Sequence, residues 1–404
     1  MKYDVIIIGG GAAGFFTAIN LAEQNNQLKI AILERGKEVL SKVRISGGGR
    51  CNVTHAEFLP QELIKNYPRG EKELRGPFHQ FMTGDTIEWF QQRGIELKTE
   101  EDGRMFPVSD SSETIIDCFL AEANRLGIEI LKKHSVQDII KNDKEWEVST
   151  NQEKFSAKKI VLATGSNPKI WGILEKLNHS VVSPVPSLFT FNTKDERLKD
   201  LAGISTFATL KIKGKKLESE GPLLITHWGL SGPGILKLSA WGARILNECN
   251  YNFELQVNFL GFKTEEEVLE ELIQLKNNFP KQQLTTYAQL ELPKRLWRRL
   301  ILKAGIAENQ IWAELSKKQM QKISEALTKA IFSINGKSTF KEEFVTAGGI
   351  KLKEVNFKTF ESKLHENLYF AGEILNIDAI TGGFNFQNAW TGGFLAASAI
   401  AEKY

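Results

Sequence analysis

The feature that most constrains this chain lies in its first 34 residues. Val5-Ile6-Ile7-Ile8 is an unbroken apolar run, the pattern of a strand buried on both faces of a parallel sheet. Gly9-Gly10-Gly11-Ala12-Ala13-Gly14 follows without a spacer and puts Gly9, Gly11 and Gly14 in a GxGxxG spacing. A helical pattern continues through Phe15, Ile19 and Leu21, and a second strand, Lys29 to Leu33, ends at Glu34. Each part has a mechanical role. Gly9 permits a tight turn, Gly11 lets the backbone approach a pyrophosphate, and Gly14 lets the helix lie close to the strand. The helix N-terminus offers N–H groups to phosphates. Glu34 is placed to accept hydrogen bonds from a ribose. The competing reading is a tight strand-to-helix turn with no ligand. The order strand, turn, helix, strand, acid favours a dinucleotide, without separating FAD from NAD.

Later glycine-rich segments favour FAD. Ser46-Gly47-Gly48-Gly49-Arg50-Cys51-Asn52 is a second glycine-rich loop. Read blandly it is a flexible surface turn; read functionally it runs along the far end of an extended cofactor. Ile160 to Leu162 is another buried strand, ending in Ala163-Thr164-Gly165. Near the end, Leu368-Tyr369-Phe370 runs into Ala371-Gly372-Glu373, and Gly382-Gly383-Phe384-Asn385 opens a helical stretch. Two helix N-termini, one near each end of the chain, suit an elongated ligand. One would meet the pyrophosphate, the other the flavin edge that becomes negative on reduction.

In combination these stretches resemble the YhiN/BaiN-type family of bacterial FAD-dependent oxidoreductases, which includes aminoacetone oxidase-like proteins. The similar segments are VIIIGGGAAG at 5–14, LERGKEV at 33–39, ISGGGRCNVT at 45–54, GRMFPVSD at 103–110, VLATG at 161–165, THWGLSGP at 226–233, VTAGGIKLKEV at 345–355 and LYFAGEIL with TGGFNFQNAW between 368 and 390. The resemblance implies that the turn Gly9, Gly11, Ala12, Ala13, Gly14 holds the pyrophosphate. Glu34 would bind the adenosine ribose with Arg35 beside it, and the backbone at Val136 would meet the adenine. Ala163, Thr164 and Gly165 would cross under the cofactor. Gly372 and Glu373 would meet the pyrophosphate–ribityl segment, and Gly382, Gly383, Phe384 and Asn385 the ring. Lys42, Ser46 and Asn52 would lie along the ribityl and ring, with Gly47, Gly48, Gly49, Arg50 and Cys51 between them. The chain departs from the family pattern at Asn376, Ala379, Phe384, Arg44 and His55, and after Gly165, which leaves the substrate open.

The fold class expected is α/β: a Rossmann-like FAD-binding domain of the glutathione-reductase type, with an inserted antiparallel β domain and a small helical domain. Ala208, Leu210 and Ile212 alternate with polar residues, as do Phe253, Leu255 and Val257, the pattern of half-buried strands. From Thr264 the period becomes helical. Thr264 with Glu267, and Ser316 with Gln319, form capping boxes, and Val268, Leu272, Leu296, Leu300, Met320, Ile323 and Leu327 make apolar stripes. The expected boundaries are 1–186 and 351–404 for the FAD domain, 187–262 and 333–350 for the β domain, and 263–332 for the helical insertion, which is read as a lid or as a stabilising or dimer-forming element.

Lys plus Arg is 52 and Asp plus Glu 49, a net charge of +3 that gives no support for a dedicated nucleic-acid binder. The basic run Lys294, Arg295, Arg298, Arg299, Lys303 reads as a solvated helix face. The three cysteines, Cys51, Cys118 and Cys249, form no CxxC pair, so neither a dithiol centre nor a zinc site is expected. No membrane span or signal peptide is expected, and the reading is cytoplasmic. His227, in a glycine-rich loop, is the candidate acid–base residue; its bland reading is a histidine that orders the turn. The function expected is FAD-dependent oxidoreduction of a small-molecule substrate, either as a reductase with NAD(P)H as transient donor or as an oxidase using O₂. The alternative is a flavin-containing RNA-modifying or RNA-binding protein. Oligomeric state stays open.

Overall fold

The apolar run at the start of the chain becomes strand β1 (Lys2–Ile8) in the computed structural model, which describes residues 1–338 and 345–404. Val5 to Ile8 are buried, and β1 has a parallel neighbour on each side. Helix α1 (Ala12–Gln24) returns the chain to strand β2 (Ile30–Glu34). After helix α2 (Ser41–Gly49) and helix α3 (Ser112–Arg125), strand β3 (Glu129–Lys132) pairs with β2. The hairpin β4 (Val136–Lys141) and β5 (Trp146–Thr150) leads into β6 (Lys154–Leu162), which lies along the other side of β1. The outer edge of β6 is shared. Its first half pairs antiparallel with β5, and Ile160 to Leu162 pair in parallel with β7 (Leu368–Phe370). The parallel order is therefore β3-β2-β1-β6-β7, and the carboxyl ends of β1, β6 and β7 lie side by side.

The last helix, α4 (Phe384–Ala401), packs on α1. Glycine makes the close approach possible: a Cβ at Gly393 would stand 3.0 Å from Thr17 Oγ1 and 3.2 Å from the Ala13 carbonyl oxygen. A three-stranded sheet that the sequence reading did not anticipate joins Thr54–His55, Arg104–Pro107 and Leu97–Thr99.

The chain divides into two units, Met1–Val185 with Lys341–Tyr404, and Pro186–Phe340. Strand Val345–Ile350, placed by the sequence reading in the β domain, falls in the first unit and pairs with Val181–Ser187. The second unit holds a seven-stranded sheet whose longer neighbours, Ser205–Ile212, Glu218–Ile225, Asn252–Asn258 and Ala330–Asn335, are antiparallel. Both capping boxes form, at Thr264/Glu267 and Ser316/Gln319. The helical stripes do not close on one another alone. Val268, Leu272, Trp297, Ile323 and Leu327 share one apolar cluster with Leu210, Leu255, Val257 and Phe332 of the sheet. The helices thus cover the sheet face whose alternate residues are apolar, and neither layer would be buried without the other.

Candidate functional site

Three strand ends and two helix starts build the site in the first unit. Gly9 takes φ +116°, and a Cβ there would lie 2.3 Å from the Ala163 carbonyl oxygen, so only glycine lets the turn rest on the end of β6. A Cβ at Gly14 would sit 2.0 Å from the Gly9 carbonyl oxygen, so α1 is packed against its own turn. Gly11 differs from both. It caps α1 with no side-chain hydrogen bond, and nothing lies within 4 Å of where its Cβ would be. The first turn of α1 therefore faces open space, which suits an anion held by backbone N–H groups.

Glu34 closes one side of this space. Its Oε2 accepts from the Gly10 N–H at 2.9 Å and its Oε1 from the Gly36 N–H at 2.6 Å. The carboxylate is thereby fixed at the end of β2, and each oxygen keeps a further lone pair for a hydroxyl. Arg35 beside it is exposed. The Glu34 carbonyl oxygen accepts from His134 N–H, which brings the start of β4, with Val136 buried, next to Glu34.

The other side is set by Gly372-Glu373. Gly372 has φ +74°, and its missing Cβ would touch Ala13 and Ala389, at the meeting of α1 and α4. Glu373 Oε2 accepts from Lys42 Nζ at 2.7 Å and would lie 3.6 Å from a Cβ at Gly165. Lys42, Gly165 and Glu373 are thus neighbours despite their separation in sequence. The donor set fits a dinucleotide: an open helix N-terminus, a fixed carboxylate on one side at the ribose distance in sequence, and a Lys–Glu pair on the other.

The second glycine-rich segment is folded more tightly than a surface loop. It ends α2, which kinks where Ser46 turns extended and Gly47 and Gly48 take φ +58° and +69°. Gly48 and Gly49 border open space, whereas Gly47 packs on Phe106 and on the backbone of Asn52. Ser46 Oγ donates to the Val43 carbonyl, and Asn52 Oδ1 accepts from the Met105 N–H at 3.3 Å. Arg50 turns its guanidinium to Glu100 at 2.6 Å and stacks it over Phe106. Cys51 is buried, and burial pushes its thiol up to about 12, which leaves little thiolate for redox chemistry.

The segment entering α4 is clamped from several directions. Arg69 Nε donates to Asp378 Oδ1 at 2.5 Å and its Nη2 to Oδ2; Asp378 is fully buried and Arg69 13% exposed. The Asn66 carbonyl accepts from Ile380 N–H, and Tyr67 Oη donates to the Phe384 carbonyl at 2.6 Å. Asn385 spends its amide on both backbone groups of Ala379. His55 Nδ1 lies 3.0 Å from the Gly382 carbonyl oxygen, and its ring stacks on buried Phe384. A Cβ at Gly383 would stand 2.5 Å from the Thr54 carbonyl oxygen, so that glycine is required by the chain itself. The side chains of Asn385 and Phe384 are thus engaged by the chain itself, at Ala379 and His55. The sequence reading missed Asn66, Tyr67, Arg69 and Asp378; none lies in a motif, and only the folded chain brings them together. Asn388 on α4 is 1% exposed and neither atom of its amide has a partner among the described residues.

His227 belongs to the second unit. It is exposed, in the turn between Glu218–Ile225 and Gly229–Ser231, where the Thr226 N–H bonds the Gly229 carbonyl oxygen. No described helix is long and apolar enough to cross a membrane.

The model of the HI0933-like protein Rossmann domain matches residues 3–399. A ribosomal RNA dihydrouridine synthase of Haemophilus influenzae is 30% identical over 413 residues, covering 98% of each chain. A 3-dehydro-bile acid delta(4,6)-reductase of Clostridium scindens is 27% identical, again covering 98% of each. Among solved structures, a 3-ketosteroid-delta4-(5alpha)-dehydrogenase from Rhodococcus jostii RHA1 shares the fold with TM-score 0.51 at 12% identity, covering 99% of this chain and 97% of that one.

Proposed function

The chain belongs to the HI0933-like family of FAD-dependent oxidoreductases, and from that premise we propose that it reduces a ring carbon–carbon double bond conjugated to a carbonyl, with uridine in ribosomal RNA as the favoured substrate. The observation that carries this reading is a shared chemistry. Dihydrouridine is uridine with its ring double bond saturated, and a delta(4,6)-reductase saturates double bonds conjugated to the ketone of a 3-dehydro bile acid. The two full-length relatives thus differ in substrate and agree in bond type.

Charge supports the RNA substrate over the small one. The near-neutral total conceals a segregation: Pro186–Phe340 holds 22 Lys and Arg against 16 Asp and Glu, leaving 30 against 33 for the other unit. A net +6 on one unit favours approach of a polyanion.

When bound, FAD carries two electrons from donor to substrate. The proposed donor is NAD(P)H, which gives up a hydride and leaves as NAD(P)⁺. The substrate gains that hydride and one proton, and its double bond becomes single. The open first turn of α1 holds the diphosphate, Glu34 the adenosine ribose, Glu373 and Lys42 the ribityl side, and the start of α4 the electron-rich edge of the ring.

The test is anaerobic incubation of the reconstituted protein with NADH or NADPH and either ribosomal RNA lacking dihydrouridine or a panel of cyclic enones. Nucleoside mass spectrometry showing a two-hydrogen gain on uridine supports the RNA substrate. Enone reduction alone moves the assignment to a small molecule. Flavin reduced by amines and not by nicotinamides would replace the reductase with an oxidase.

A further inference from the structure

His55 stands at the end of a short strand, between the start of α4 and the turn at Gly103. A carbonyl oxygen accepts only, so the contact of 3.0 Å with Gly382 fixes a proton on Nδ1. The second proton of an imidazolium must then sit on Nε2, which packs over Gly103: a Cβ there would be 2.5 Å from it. Phe384 covers one face of the ring, stacked at 4.5 Å. Every change in the charge of this imidazole is thus made next to Gly382-Gly383, the backbone from which α4 begins.

We propose that His55 is a titrating neighbour of the flavin, whose protonation adds positive charge beside the start of α4 and raises the reduction potential of the bound cofactor on acidification beyond the cofactor's own pH dependence. This rests on the reading that the flavin ring lies at the start of α4. The groups acting on His55 divide by sign. Burial holds its pKa below the ordinary imidazole value; the Gly382 carbonyl, Asp102 and Glu57 act to raise it, and Arg104 to lower it. The positive end of α4 disfavours the imidazolium as well. An electron pair arriving on the ring reverses part of this penalty. Proton and electron binding are then coupled, and the coupling is reciprocal. If reduction tightens proton binding at His55 tenfold, the two-electron potential rises by about 30 mV over the titration.

The experiment measures the midpoint potential of the FAD-loaded protein by dye equilibration from about pH 5 to about pH 8, the range in which imidazole titrates. It is run on the wild type and on His55→Asn, whose amide can donate to the Gly382 carbonyl without titrating. The expected curves coincide at the alkaline end and separate at the acid end, the wild type lying higher by the equivalent of a roughly tenfold shift in the ratio of reduced to oxidised flavin. Curves that are parallel throughout, with or without a constant offset, overturn the proposal and leave FAD binding untouched. If His55→Asn does not hold FAD, imidazole NMR of the wild type decides. A His55 titration that moves up on reduction supports the proposal, and one that is identical in both redox states overturns it. A wild type that takes up no flavin overturns the underlying reading of the site.

Discussion

Replacing Glu34 tests the cradle most directly. Its carboxylate accepts from the Gly10 and Gly36 N–H groups, one per oxygen, so it ties down the turn and keeps further lone pairs for the proposed ribose. Glu34→Ala removes a hydrogen-bond acceptor that carries charge, worth about 1.5–3 kcal/mol per bond. By about 1.4 kcal/mol per decade, FAD affinity falls roughly 10- to 150-fold. Glu34→Gln is informative because it is nearly isosteric. Both local partners are donors, so the new NH₂ group must face one of them, and the carboxamide either leaves one N–H unpaired or turns away. It should therefore weaken FAD by a similar factor while circular dichroism stays unchanged. The assay is fluorescence titration of apoprotein with FAD. A wild-type dissociation constant in both variants refutes the assignment of Glu34 to the ribose.

Gly11→Ala and Gly14→Ala separate binding from packing. The first meets nothing within 4 Å and should keep the wild-type melting temperature while weakening FAD; the second would place a Cβ 2.0 Å from a carbonyl oxygen and should lower thermal stability even without cofactor. Arg69→Met breaks the ion pair with buried Asp378 and should lower the denaturant midpoint; an unchanged midpoint refutes the clamp. His179 donates its Nδ1–H to Glu354 and accepts at Nε2 from Ser362, and burial, the largest influence, holds its pKa below the ordinary value. The unfolded state then binds the extra proton more readily, so this contribution to stability is present above the unfolded value of about 6.5 and is lost as pH falls below it. His179→Gln should flatten that part of the stability profile.

The first strand–turn–helix–strand unit was legible because its signals are local: an apolar run, three glycines and an acid at fixed offsets. The capping boxes at Thr264 and Ser316 were legible for the same reason, each being complete within four residues. The clamp on the segment before α4 was not. Arg69 and Asp378 lie 309 positions apart, and neither residue type signals a partner at that distance. Side-chain direction was also hidden. Phe384 and Asn385 sit beside a glycine pair that reads as a ligand site, yet the backbone angle of Gly383 turns the phenyl group onto His55 and the amide onto Ala379. Net charge over the whole chain also hid a segregation, because the division at 185/186 separates a basic unit from a slightly acidic remainder.

The shared edge of β6 has a consequence for how the chain is made. Ile160, Val161 and Leu162 emerge early from the ribosome, as does their partner β1, but the strand that pairs with their outer edge is Leu368–Phe370. At about 5–20 residues per second, the roughly 200 intervening residues take about 10–40 s to synthesise. For that interval the nascent sheet presents an apolar edge with unpaired backbone groups, while the entire second unit is being extruded. Such an edge is a template for pairing with other chains. The step at which newly made protein is most exposed to aggregation is therefore the wait for β7. Chains terminated before Leu368 should collect in inclusion bodies or on chaperones, while chains extended through α4 stay in solution.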